Sequence, residues 1–140
     1  MKYLLDTNVV SEIRRKSPDR NVASWIEAAS PGSLAISVLT LGEIAKGAQN
    51  LSRRDPTAGK SLFAWLETIR SDFADRVLKI DSDVSMEWGR LCAHRQLPVI
   101  DGLLAATALV RGLTLVTRNI AGFTGTGVLL HNPWQDMKFP

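Results

Sequence analysis

Lys2-Tyr3-Leu4-Leu5-Asp6-Thr7-Asn8-Val9-Val10-Ser11 stands near the start of the chain, and its reading decides the fold. The apolar run through Leu5 is short and ends at an acid. Its brevity and position mark it as a buried strand of a parallel sheet. From Val9 to Arg15 the residues read as a short helix. Working outward, Pro18-Asp19 opens a second helix, with Val22, Trp25 and Ile26 as its apolar stripe and Pro31-Gly32 as its stop. Leu34-Ala35-Ile36-Ser37-Val38 is a second strand, and a long helix follows from about Thr40 to Leu51.

Ser52-Arg53-Arg54-Asp55-Pro56 is a polar break, after which Leu62, Trp65, Leu66 and Ile69 recur at helical spacing. Val77-Leu78-Lys79-Ile80 is a third strand, and Asp81 or Ser82 caps the helix beyond it. That helix carries Val84, Trp88, Leu91 and Cys92 and stops at Leu97-Pro98. Ile100 to Val110 is an almost wholly apolar helix ended by Gly112. Leu113-Thr114-Leu115-Val116-Thr117 is a fourth strand and Val128-Leu129-Leu130 a short fifth. The stretch His131-Asn132-Pro133-Trp134 is expected to pack back onto the body. Strands thus alternate with helices, which implies an α/β fold of three α/β/α layers with a mostly parallel sheet of about five strands. One domain over residues 1–140 is expected, since 45% hydrophobic composition suffices for a sizeable core.

No apolar run approaches the roughly 20 residues that span a bilayer. The N-terminal apolar stretch is interrupted by Asp6 and does not read as a signal peptide, and Cys92 is the single cysteine. These features point to a cytoplasmic protein. The net charge of +3 is consistent with a polyanionic partner.

Ligands of such sheets bind beyond the carboxyl ends of the strands. The residues found there are Asp6-Thr7-Asn8, then Glu43, then Asp101, then Thr117-Arg118-Asn119. Asp101 is the one charged residue between Arg95 and Arg111, at the head of an apolar helix. A carboxylate there must cap, pair or bind metal, because an unpartnered buried charge is costly. Its bland reading is favourable charge at a helix start. Glu43 has a bland reading too, as the glutamate of a capping box begun by Thr40. Three acids at one sheet edge repel one another and call for a cation. Mg²⁺ or Mn²⁺ suits such oxygen ligands. His94 and His131 show no paired-ligand spacing, so zinc is not expected. Thr117 and Asn119 are candidates to complete the pocket, with ordinary turn chemistry as the alternative. Asn8 is expected to support Asp6.

These residues resemble the PIN-domain nucleases, and among them the VapC and FitB type toxins of bacterial toxin–antitoxin pairs. Leu5-Asp6-Thr7-Asn8-Val9-Val10-Ser11 looks like the first acidic motif, and Ser37-Val38-Leu39-Thr40-Leu41-Gly42-Glu43-Ile44 with Gly47 like the second. Asp101-Gly102-Leu103-Leu104-Ala105-Ala106-Thr107-Ala108 looks like the third. Leu115-Val116-Thr117-Arg118-Asn119 and Asn132-Pro133-Trp134 also match. The likeness covers essentially the whole chain.

The resemblance implies a PIN-like fold and metal-dependent hydrolysis of RNA. Asp6, Asp101 and Glu43 would hold Mg²⁺ or Mn²⁺, with Asn119 in a catalytic role and Arg118 and Thr117 near the substrate. Arg14-Arg15-Lys16, Arg53-Arg54 and Lys46 are further candidates for phosphate contacts. The partners implied are an antitoxin whose tail lies in a groove of the toxin, a second copy in a homodimer, and a larger toxin–antitoxin assembly on DNA. One departure stands out. Many relatives carry an acid three residues beyond the asparagine, where this chain has Gly122 before Phe123. That places the second of two metal sites in question. Two other readings compete. A phosphatase of the haloacid dehalogenase type needs a second aspartate where Asn8 stands. A PIN-like scaffold without catalysis would have no use for the acid cluster.

Overall fold

The computed structural model describes residues 1–135. Strand β1 (Tyr3–Leu5) leads into α1 (Thr7–Arg14), α2 (Arg20–Ala28), β2 (Leu34–Ser37), α3 (Val38–Arg54) and α4 (Pro56–Asp72). There follow β3 (Val77–Leu78), α5 (Ser82–His94), α6 (Val99–Arg111), β4 (Thr114–Val116) and β5 (Leu130–His131). The five strands lie in the order β3-β2-β1-β4-β5, and each neighbouring pair is parallel. Chain order runs outward from β1 on one side and then resumes at β4 on the other. The boundary between β1 and β4 is therefore the topological switch point, where open α/β sheets form their binding crevice.

Successive strand residues face opposite sides of the sheet, and this builds two cores. Leu4, Ala35 and Leu115 join Leu91, Leu104 and Phe123 on one side, under α5 and α6. Leu5, Ile36 and Val116 join Val9, Val10, Val22, Ile44 and Leu66 on the other. Helices thus cover both faces, as the alternation implied. Among the described residues no helix is long and apolar enough to cross a membrane.

Several boundaries differ from the sequence reading. The first helix begins at Thr7, with Asp6 as its cap. The long helix starts at Val38, because the Ser37 hydroxyl accepts the Leu39 N–H at 3.0 Å and caps it there. The capping box expected of Thr40 and Glu43 therefore does not form. The polar break shrinks to Asp55, which ends α3 and caps α4 by accepting the Ala58 N–H at 3.1 Å. The third strand covers two residues, and the fifth falls at Leu130–His131 in place of Val128–Leu130. Gly112 ends α6 at φ +68°, a left-handed position that favours glycine. The tail does pack back: Asn21 donates to the Trp134 carbonyl at 2.8 Å.

Because Ser37 is fully buried and sets where α3 starts, Ser37→Ala is expected to cost about 1 kcal/mol. Thermal or denaturant unfolding of the variant checks this.

Candidate active site

Asp6 leaves the end of β1 at the switch point and is 8% exposed. Its two oxygens are held separately. Oδ1 accepts the Thr7 N–H at 2.7 Å, while Oδ2 accepts the Thr117 hydroxyl at 2.8 Å and the Asn8 amide at 3.4 Å. Thr117 follows β4, the strand beside β1. The Thr117 oxygen in turn accepts the Asn119 N–H at 3.0 Å. Asn8 accepts the Arg118 N–H at 3.4 Å, so the ends of β1 and β4 are cross-linked by side chains.

Glu43 arrives from α3 on the other side of Asp6. Thr7 donates its hydroxyl to Glu43 Oε1 at 2.5 Å and touches the Thr40 hydroxyl at 3.0 Å. A hydroxyl has one proton, so Thr40 must donate to Thr7 while Thr7 donates to Glu43. Thr7 therefore engages two acids at once, through its N–H and its hydroxyl. Thr40, fully buried, anchors it.

Asp101 sits in the first turn of α6. Among the described residues nothing donates a hydrogen bond to its carboxylate, and it has no ion pair. Burial and the charge of Glu43 hold its carboxyl above the ordinary 3.8. Favourable charge at a helix start would pull the other way. Desolvation and the repulsion of Glu43 thus act against whatever favourable charge the helix start provides. Asp6 is raised as well. Burial is the leading cause, and Asp101 and Glu43 add repulsion against the lowering pull of Thr117 and Thr7. The three acids thus sense one another across the switch point.

The predicted site residues divide into two groups. Asp6 and Glu43 meet at Thr7, and Asp101 is near enough for its charge to act with theirs. Thr117 is at the site but fully buried, which corrects the expectation of a substrate contact: its hydroxyl is committed to Asp6. Asn119 supplies its backbone N–H to Thr117, while its side-chain carbonyl accepts the Gly122 N–H at 3.2 Å. The amide is therefore used as turn chemistry. It also lies where a Cβ on residue 122 would fall, so an acid there would have to displace Asn119. Arg118 is exposed, with its guanidinium 5.0 Å from the centre of the Trp134 ring. Thr7 and Thr40 were missed by the sequence reading. The one available signal was a hydroxyl directly after the first acid.

The donor set is three carboxylates and neutral hydroxyls, hard oxygens throughout, which suits a hard divalent cation. Among the described residues no three acidic, histidine or cysteine side chains stand close enough to grip a metal ion by themselves.

The model of the PIN domain family matches residues 3–124. The chain belongs to the PIN domain family. Two similar proteins and one solved structure illustrate the likeness. The VapC ribonuclease Y4jK of Sinorhizobium fredii is 32% identical over 94% of this chain and 97% of its own length. The toxin FitB of Neisseria gonorrhoeae is 30% identical, covering 95% and 99%. The crystal structure of FitAcB from the same organism superposes with a TM-score of 0.88 at 30% identity, over 95% of this chain and 99% of that one. The matched span of this PIN domain contains Asp6, Glu43, Asp101, Thr117 and Asn119, and therefore every residue of the network around the three acids.

Proposed function

We propose that this PIN domain is a Mg²⁺- or Mn²⁺-dependent endoribonuclease that acts as the toxin of a toxin–antitoxin pair. The observation that carries the chemistry is Asp101, a partly buried carboxylate with no donor among the described residues, whose charge is repelled by Glu43 and in turn repels Asp6. Such an arrangement is costly in the protein alone and is relieved by a cation. The names of the relatives, a VapC ribonuclease and the toxin FitB, support the substrate and the biological role.

In this reading Asp6 and Asp101 would hold the metal ion, and Thr117 and the Thr7 N–H fix the two Asp6 oxygens and oppose the upward push of burial on its pKa. Glu43, held by Thr7, supports the same cluster or takes the proton of the attacking water. An ion held there would supply polarisation of the phosphoryl oxygens and stabilisation of the leaving 3′ oxygen. Arg118 stands exposed beside the site for a phosphate. The products are a 5′-phosphate and a 3′-hydroxyl. An antitoxin would silence the site by presenting a basic side chain to the three acids, whose charge it would neutralise. The resemblance to FitAcB and to FitAB bound to a DNA fragment, at a TM-score of 0.86, supports an antitoxin partner and assembly on DNA. A homodimer and a cytoplasmic location complete the reading.

The test is cleavage of total cellular RNA by the purified protein with Mg²⁺, with Mn²⁺ and with a chelator, paired with calorimetric titration of each metal. Cleavage that needs the metal, with saturable binding lost in Asp6→Asn, is the expected result. Absence of metal binding would favour the scaffold reading, and chelator-resistant cleavage would overturn the mechanism.

A further inference from the structure

A cleft of about 290 Å³ opens beside the acids, between α1, α3 and α4. Thr7 and Glu43 belong to both the cleft and the site, so the two spaces are continuous. Its volume is at the small end of ligand pockets. Trp65 and Leu62 supply its apolar lining, and Arg14 and Arg15 supply cations. The Arg14 guanidinium lies 5.7 Å from the centre of the Trp65 ring and donates to the Ser61 hydroxyl at 3.4 Å. Among the described residues Arg14 has no acidic partner. An aromatic face, an uncompensated cation and a catalytic carboxylate thus share one recess.

Gly47 lines the same recess from α3. Glycine is the least favourable helix-interior residue after proline. Nothing in the fold demands it here: its φ is not positive, and a Cβ would meet no atom within 4 Å. What the missing side chain does is keep the cleft open. On the other flank of Glu43 lies a second recess lined by Val38, Gly42, Lys46 and Ile100. A strand crossing the acids would pass from one cation-bearing recess to the other.

We infer that the Trp65 cleft is the subsite for a nucleotide of single-stranded RNA next to the cleaved phosphate. Trp65 stacks the base and Arg14 takes a phosphate. Stacking on an aromatic with a cation beside it is how single strands are commonly bound. Arg14, unpaired beside the acids, favours an RNA strand over a peptide as the occupant. The inference rests on the proposed nuclease function, but its test reads binding, which cleavage does not determine.

The experiment measures fluorescence anisotropy of a labelled short single-stranded RNA on the Asp101→Asn protein, with further substitutions added. Gly47→Leu adds a side chain beside the cleft whose Cβ meets no atom within 4 Å, and it is expected to weaken RNA binding about tenfold or more, with no loss of thermal stability. Trp65→Ala should weaken binding similarly, but it also removes core packing, so Gly47→Leu decides. Gly89→Leu, at an open helical glycine on α5, should bind as the parent does. RNA affinity unchanged in Gly47→Leu overturns the subsite. So does a Gly47→Leu protein that loses only a protein partner encoded beside it, which would make the cleft a protein-docking surface. Gly47-dependent RNA binding combined with cleavage that survives Asp101→Asn would overturn the nuclease mechanism and leave the subsite standing.

Discussion

Asp101→Asn abolishes RNA cleavage, by a factor on the order of a thousand or more, and leaves the protein at least as stable as the wild type without metal. The two halves of this expectation share one cause. Among the described residues the Asp101 carboxylate accepts no hydrogen bond, and burial and Glu43 both disfavour its charge. In the proposed mechanism that charge would hold a cation, and an amide is a far weaker ligand for one. In the metal-free protein the same charge is a burden. Because the folded-state pKa is raised, ionisation favours the unfolded chain. Stability from this group is therefore present below the ordinary 3.8 and is lost as pH rises through the raised folded value. Asparagine cannot ionise. Its melting temperature should match or exceed the wild type at neutral pH, with the difference closing as pH falls towards 3.8. Thermal melts with a chelator at two pH values, set beside cleavage assays with Mg²⁺, check both halves. A purified Asp101→Asn protein that cleaves like the wild type would remove the metal-site assignment. One that melts well below wild type at neutral pH would mean that the carboxylate has a structural partner after all.

Thr117→Val lowers cleavage about 10–100-fold, the range for a residue that orients a metal ligand, and Thr117→Ser restores most of it. Valine keeps the shape of threonine and removes the hydroxyl that donates to Asp6 at 2.8 Å. That donor lowers the Asp6 pKa, so its loss makes Asp6 harder to ionise and free to turn. The partly buried Asn119 N–H contact at 3.0 Å also goes, which adds a modest stability cost of about 1 kcal/mol. Calorimetric Mn²⁺ affinity separates the two effects. Weaker metal binding in Thr117→Val, recovered in Thr117→Ser at similar thermal stability, identifies the hydroxyl as a positioning group. Equal metal affinity in all three proteins would show that Thr117 serves only the fold.

Much of the fold was legible because it depends on local pattern. Short apolar runs alternating with helical stripes imply a parallel sheet between helix layers, and Gly112 and Asp81 mark helix ends by their own chemistry. Asp6 and Asp101 were legible for the same reason, one closing a strand and the other standing alone in an apolar helix. Glu43 was found, but its expected capping contact was not. Ser37, three residues before Thr40, takes the cap instead and frees the glutamate for Thr7. Which serine or threonine caps a helix turns on a backbone angle at one residue, and composition alone does not choose it.

By itself the sequence determined the layer order, the acids and the apolar faces, since each follows from neighbours along the chain. Only the tertiary structure decided what those acids meet. Thr117 reaches Asp6 across 111 positions, Thr7 reaches Glu43 across 36, and the cleft opened by Gly47 is bounded by three separate helices. Such contacts arise when the sheet places β1 beside β4, and no periodicity along the chain records which side chains that placement brings within hydrogen-bonding distance.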